Sequence, residues 1–278
     1  MFNKHTHFIV AITTFYDEYL GISVPGLGRI NRKFTLVIYN DNPDVKVKKK
    51  QIRKLGYRGK LYIINGTHNL GQMRARLAIL GFVRKQKLTA DWIIFVDDDD
   101  ILTNLSIPCV SQNNFAIIQN MAVIRSRLID VLRIARNSDK CTIDNENIYM
   151  VRPHVGLAGT LVRYSVMMRM ADTLNAALQS ISDIDESLSF RPPVDMMMWS
   201  ALNIVARHDN DCATPIYMDT INYVATDIDT ATTKYGMQIQ PSKNPTQQIS
   251  RAIARYDAVI RATLVSDAAA PQGQGLNA

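Results

Sequence analysis

Asp91-Trp92-Ile93-Ile94-Phe95-Val96-Asp97-Asp98-Asp99-Asp100 carries five apolar residues straight into four carboxylates. β-branched and aromatic side chains without polar interruption suit a strand covered on both faces. The stretch therefore reads as a buried strand that ends in acid. In open α/β sheets ligands bind at the carboxyl ends of strands, and burial alone would place no charge there. Carboxylates ~6 Å apart at an effective dielectric of ~20 repel by roughly 2 to 3 kcal/mol per pair. Such a cluster calls for cations, hydrogen-bond donors or open water.

Upstream of this strand the pattern alternates. His7–Tyr16 and Phe34–Tyr39 read as two further buried strands, and Leu61–Ile64 as a third. From Gln72 a helical period takes over, with Met73, Leu77, Leu80 and Val83 on one face. Strand and helix in alternation predict a parallel sheet with right-handed crossovers. Pro25-Gly26-Leu27-Gly28-Arg29 does not meet a phosphate-loop spacing and is expected to be a plain turn. Val45–Lys60 is dense in Lys and Arg around Ile52 and Leu55, which predicts a short helix stopped by Gly56. A solvated helix face is the preferred reading of that basic segment, and peripheral contact with lipid head groups through residues 46–60 is the sharper one.

Downstream, Asn120–Arg136 has helical composition, although Arg127–Leu132 reads equally as a strand, and Asn137–Asn147 is polar and turn-like. Gly156–Arg163 suggests a glycine-relieved strand. Pro192-Pro193 primes a helix from Val194, with Met197, Leu202 and Val205 facing the core. Thr246–Val265 carries an apolar stripe of Ile249, Ile253, Tyr256 and Ile260, and the tail after it has a disordered composition.

The chain has 278 residues, enough for one large domain or two small ones, with 47% hydrophobic and 21% charged residues. A net charge of +7 suits anionic partners. Three widely spaced cysteines, Cys109, Cys141 and Cys212, give neither a zinc pattern nor a disulfide framework. With no long apolar run at the N-terminus or elsewhere, a cytoplasmic, at most membrane-peripheral, location is expected.

The side chains of a strand alternate, so Asp97 and Asp99 would share one side if extended geometry persisted. Two carboxylates at an open strand end suit a hard divalent cation, whose remaining ligands are usually water and phosphate oxygens. A phosphorylated ligand is implied.

Asn69-Leu70-Gly71, then Ala75-Arg76, then a strand ending in Asp97-Asp98-Asp99-Asp100 together resemble the nucleotide-sugar half of glycosyltransferase family 2. Asp183-Ile184-Asp185-Glu186 and Val194-Asp195 resemble its acceptor half, and the resemblance covers roughly residues 7 to 235. It implies an α/β, Rossmann-like GT-A fold with a mainly parallel central sheet flanked by helices. The domain would occupy residues 1–245, its nucleotide-sugar half about 1–105 and its acceptor half about 106–245. A C-terminal helix at 246–266 and a tail at 267–278 would follow.

The resemblance further implies a nucleotide-sugar donor, by family frequency a UDP-sugar, a carbohydrate, lipid-linked or protein acceptor, and Mn²⁺ or Mg²⁺; no nucleic acid is expected. Asp99 would be the metal ligand, and Asp97 would contact the nucleoside or ribose. Asp98 would be a spacer whose charge Arg76 offsets. Thr13, Phe15, Glu18, Asp41 and Asn69 would line the donor pocket, with Arg76 facing the diphosphate or the acids. Asp195 would be the general base of an inverting transfer. Asp100, Asp185, Glu186 and Lys234 would support the site or the acceptor.

Val194 stands where relatives carry Glu, which leaves the base role resting on one acid. The Gln-x-x-Arg-Trp signature of processive synthases is missing, which favours single additions. Three other readings stay open: a haloacid-dehalogenase-like phosphohydrolase with Asp97 as nucleophile, a sugar-phosphate nucleotidyltransferase, and a non-catalytic nucleotide- or carbohydrate-binding module.

Overall fold

The computed structural model describes residues 6–107, 116–127, 140–144, 147–153, 156–180, 194–208, 216–225, 254 and 256–265. β1 (Phe8–Thr14), β2 (Thr35–Asn40), β3 (Lys60–Asn65) and β4 (Trp92–Asp97) make a parallel block in the order β3-β2-β1-β4. One turn of 3-10 helix, Asp17–Tyr19, and α1 (Leu20–Arg29) join β1 to β2. α2 (Lys49–Lys54) joins β2 to β3, and α3 (Gln72–Lys85) joins β3 to β4. Beyond β4 the sheet becomes mixed. It adds β5 (Ile101–Leu102), β6 (Ile117–Arg127), β7 (Lys140–Asp144), β8 (Asn147–Pro153), β9 (Thr160–Arg163) and β10 (Ile216–Ala225). The path runs β4-β9-β6-β10-β5, with β8 and then β7 attached to β6. Two further helices follow β9, α4 (Tyr164–Ser180) and α5 (Val194–His208), and residues 256–265 are helical. The architecture is thus the expected mixed α/β layer structure, with a mostly parallel sheet at its centre and helices on both sides.

Alternation along β1 decides which helix goes where. Ile9 and Ala11 face a core shared with Met73, Leu77 and Leu80 of α3, Met170 and Leu174 of α4, and Leu202 and Val205 of α5. Phe8, Val10 and Ile12 face the other core, with Leu20, Val24 and Leu27 of α1 and Ile52 of α2. The chain therefore lays β2 and β3 on one side of β1, then crosses to the opposite side for β4. Adjacent strands whose connections leave in opposite directions open a crevice at their carboxyl ends. Here that crevice lies between β1 and β4, where Thr13 is the register partner of Asp97.

Three local expectations are corrected. The Pro25–Arg29 segment is not a turn but the second half of α1, with Pro25 inside the helix. Its glycines serve close approach: a Cβ on Gly26 would lie 2.8 Å from Ile101 Cγ2, and one on Gly28 would lie 2.9 Å from the Gly56 carbonyl oxygen. Residues 120–127, expected to be helical, belong to strand β6. Residues 140–144, expected to be a turn, form β7 and pair with β8. In both cases cross-strand pairing decides the conformation, which local composition does not report. Gly56 ends α2 as expected, at a φ of 102° that favours glycine.

Residues 256–265 bury Tyr256, Ile260 and Leu264, and Ser200 of α5 donates to both carboxylate oxygens of Asp257 at 2.8 and 2.9 Å. Ile249, Ile253 and the 267–278 tail lie outside the described residues. Among the described residues no helix is long and apolar enough to cross a membrane.

Candidate functional site

The acid run does not stay extended. β4 ends at Asp97, and the Asp100 amide donates to the Asp97 carbonyl at 3.1 Å, so Asp97–Asp100 closes into a turn. The two-sided alternation expected from strand geometry therefore stops at Asp97. Instead the turn divides its acids by what holds them.

Asp97 accepts from Arg76 Nη2 at 2.8 Å. Arg76 comes from α3, is 1% exposed, and lies over the Phe95 ring at 5.6 Å. It reaches the acidic cluster at Asp97, because α3 packs on the sheet face that Phe95 covers. Asp100 is buried and accepts from the Tyr223 hydroxyl at 2.6 Å. The same phenol oxygen lies 3.5 Å from the Asp97 amide nitrogen. Burial, then the Asp100 and Asp97 charges, push the Tyr223 phenol well above its ordinary value, so it stays a proton donor.

Asp98 and Asp99 occupy the middle of the turn and are both half-buried. The Asp98 carboxyl is pushed up to about 8, first by desolvation and then by the Asp99 and Asp97 charges, while its hydrogen bond with Thr14 pulls the other way. Tyr19 closes the same space: burial, Glu18, and then Asp98 and Asp99 raise its phenol. Excess negative charge thus converges on the crevice between β1 and β4.

The neighbouring wall is polar and internally bonded. The buried Asp41 accepts the Leu70 amide at 2.7 Å and the Gly71 amide at 2.9 Å, one on each carboxylate oxygen. Burial raises its pKa, and those two amides and His68 oppose the rise. Asn69 Oδ1 also accepts the Gly71 amide, at 3.0 Å, and Gly71 sits at a φ of 74° just before α3. This latch sets the start of the helix that carries Arg76. Phe15 meets Tyr16 edge-on at 5.0 Å, and its carbonyl accepts from Asn42 at 3.1 Å. Glu18 is exposed on the 3-10 turn beside them.

The fold therefore gathers Thr13, Phe15, Glu18, Asp41, Asn69 and Asp97–Asp100 at the carboxyl ends of β1, β2 and β4 or in the loops that follow β1 and β3, with Arg76 reaching them from α3. Asp195 is the second residue of α5, and its side chain lies outside what the structure describes. Asp185, Glu186 and Lys234 lie outside the described residues. Thr14, Tyr19 and Tyr223 belong to the site without having been anticipated. Tyr223 lies in β10, and only the pairing of β10 with β5 brings it beside Asp100.

Among the described residues no group of three or more His, Cys, Asp or Glu side chains is arranged to hold a metal ion. The donor set nevertheless fits Mg²⁺ or Mn²⁺ in their usual mode, one or two carboxylates completed by water and phosphate oxygens. Mutual repulsion at Asp97, Asp98 and Asp99 is what a cation would relieve.

No protein-family model matches the sequence, and no curated protein does. Among solved structures the chain is similar to S. aureus TarS, with 15% identity and a TM-score of 0.47 over 94% of this chain and 42% of that one. The 1–349 piece of S. aureus TarS is 11% identical with a TM-score of 0.49, over 94% and 82% of the two chains. The apo-form glycosyltransferase GlyE of Streptococcus pneumoniae TIGR4 is 13% identical with a TM-score of 0.40, over 77% and 46%. The chain thus spans less than half of the full TarS and GlyE chains.

Proposed function

We propose that the crevice between β1 and β4 is the donor site of a glycosyltransferase that moves a sugar from a nucleotide-sugar, of which a UDP-sugar is the favoured case, to an acceptor hydroxyl. The observation that carries this reading is the acidic turn at the topological switch point of the sheet, with Arg76 and Tyr223 holding its outer acids. Asp99 is the assigned ligand for Mn²⁺ or Mg²⁺, with Asp98 beside it. A divalent ion held there would neutralise the charge that builds on a departing diphosphate.

The chain's own residues divide the remaining work. Arg76 fixes Asp97 at the end of β4, which keeps that carboxylate aligned for a ribose or nucleoside hydroxyl. Thr13, Phe15 and Glu18 supply the polar and aromatic wall on the β1 side. Asp41 and Asn69 set the loop before α3, so they position Arg76 rather than reach the ligand through their own engaged oxygens. Asp195 is the assigned general base, which takes the acceptor proton as the hydroxyl attacks the anomeric carbon with inversion. Asp100, Asp185, Glu186 and Lys234 remain supporting candidates.

The test is a thermal-shift panel of nucleotide sugars with and without Mn²⁺, on wild type, Asp99→Ala and Asp195→Ala, followed by a transfer assay. Asp99→Ala should lose the metal-supported shift, whereas Asp195→Ala should keep it and lose transfer. Equal metal-supported donor binding in wild type and Asp99→Ala would remove the metal assignment. A phosphate trapped on Asp97 would instead establish phosphohydrolase chemistry, and donor binding without any transfer would leave a binding module.

A further inference from the structure

The positive charge of this chain is concentrated in one place. Between Asp44 and Lys60 lie eight Lys or Arg residues and one acid, a net +7, which equals the net charge of the whole chain. The rest of the molecule is therefore balanced. Packing turns the excess outward: Val47, Ile52 and Tyr57 are buried at five-residue intervals and pin the segment to the sheet. Lys46, Lys48, Lys49, Lys50, Lys54 and Arg58 are all exposed. Arg53 is half-buried and serves the fold: its Nη1 donates to the Tyr57 carbonyl at 2.9 Å, and its guanidinium lies 5.8 Å from the centre of the Tyr57 ring.

The patch reaches the site's rim. An open cleft of about 470 Å³ has Lys48, Lys50 and Lys54 along one wall and Asp17 and Glu18 along the other. Gln51 ties the two sides, donating to Asp17 at 2.8 Å. Among the described residues none of the three lysines lies within ion-pair distance of a carboxylate.

We propose that this face, centred on Lys48, Lys49, Lys50 and Lys54, binds the surface of an anionic lipid bilayer. Lysine ammonium groups are compact point charges that respond to surface charge density and need no fixed partner geometry. A nucleic acid fits less well. Single strands are held on aromatic platforms, whereas Tyr57 is buried with its hydroxyl donating to the Phe34 carbonyl at 2.8 Å. Among the described residues the only exposed large hydrophobic side chain is Val265, outside the 44–60 segment, so that segment offers no large apolar side chain to the acyl layer. Attachment is therefore electrostatic and reversible, and salt within a Debye length of the surface weakens it. The inference does not depend on the transferase reading, because the measurement is of binding alone.

The test is co-sedimentation of the full chain with vesicles of pure phosphatidylcholine and with vesicles containing about one-third phosphatidylglycerol, at about 50 mM and about 500 mM NaCl. Wild type should bind only the anionic vesicles, and only at low salt. The quadruple variant Lys48→Gln/Lys49→Gln/Lys50→Gln/Lys54→Gln should lose at least tenfold in affinity with an unchanged melting temperature. A charge-matched control, Arg74→Gln/Lys85→Gln/Lys87→Gln/Arg261→Gln, should lose far less. Binding to neutral vesicles, no binding to anionic ones, or equal losses in the two variants would overturn the proposal. So would displacement from vesicles by a single-stranded oligonucleotide at equal phosphate concentration, which would make the partner a soluble polyanion.

Discussion

The Tyr223 hydroxyl donates to Asp100 at 2.6 Å across 123 residues of sequence, and the same oxygen faces the amide of Asp97. A hydrogen bond to a charged acceptor contributes about 1.5–3 kcal/mol. Tyr223→Phe keeps the ring and removes only this link. It should lower the melting temperature by about 2–6 °C and weaken Mn²⁺ binding several-fold in titration calorimetry. If stability falls while Mn²⁺ affinity holds, the phenol supports the sheet and not the acidic turn.

Asp98 should make the apoprotein less stable at neutral pH than a neutral residue would. Its folded pKa is raised to about 8, so the folded state keeps a proton that the unfolded chain gives up near 3.8. That contribution is complete below about pH 4 and is lost as pH rises through 8. In EDTA, Asp98→Asn should therefore be more stable than wild type at pH 7 to 8, on the order of 1–3 kcal/mol after allowance for solvent screening. Denaturant melts across pH 5 to 9 measure it; parallel pH profiles in the two proteins would refute the shift.

Much of this site was legible in the sequence, and the boundary of legibility has a physical cause. The strands, the helix from Gln72 and the acids at a strand end follow from periodicity and chain order, which are local. The arrangement of the acids was not legible, because the turn closed by the Asp100 amide ends the alternation that a strand would have kept. Arg76 was placed near the acids, yet its choice of Asp97 depends on which sheet face α3 covers. Tyr223 and the strands β6, β7 and β10 depend on partners far away in sequence, and the composition of residues 120–127 pointed to a helix. Pro25 and its two glycines misled for a related reason, since their use is to let α1 approach Ile101 and Gly56.

Asp41 offers a test of the latch before α3. Both of its oxygens accept amides, so Asp41→Ala leaves the Leu70 N–H without an acceptor and the Gly71 N–H with Asn69 Oδ1 alone, a cost of about 1–3 kcal/mol. Asp41→Asn retains one acceptor and should lose about half as much. Hydrogen exchange at Leu70 and Gly71 should accelerate in both. Protected amides in Asp41→Ala would refute the latch.

Glycine substitutions should split by sign. A Cβ on Gly28 meets the Gly56 backbone at 2.9 Å, so Gly28→Ala should destabilise by about 1–3 kcal/mol. Gly81 lies within α3, where an added Cβ would have nothing within 4 Å, and Gly81→Ala should stabilise by about 0.5–1 kcal/mol. Chemical denaturation of the two variants decides it, and a shared sign would contradict the packing described.

The reach from Asp100 to Tyr223 also has a consequence for biosynthesis. A nascent chain carries its four acids long before it carries the strand whose phenol fixes the last of them, and β5, which follows the turn directly, pairs with that same strand, β10. A chain stopped before residue 216 should hold the acids without their native arrangement. Maturation of the acidic turn thus waits until β10 has been made.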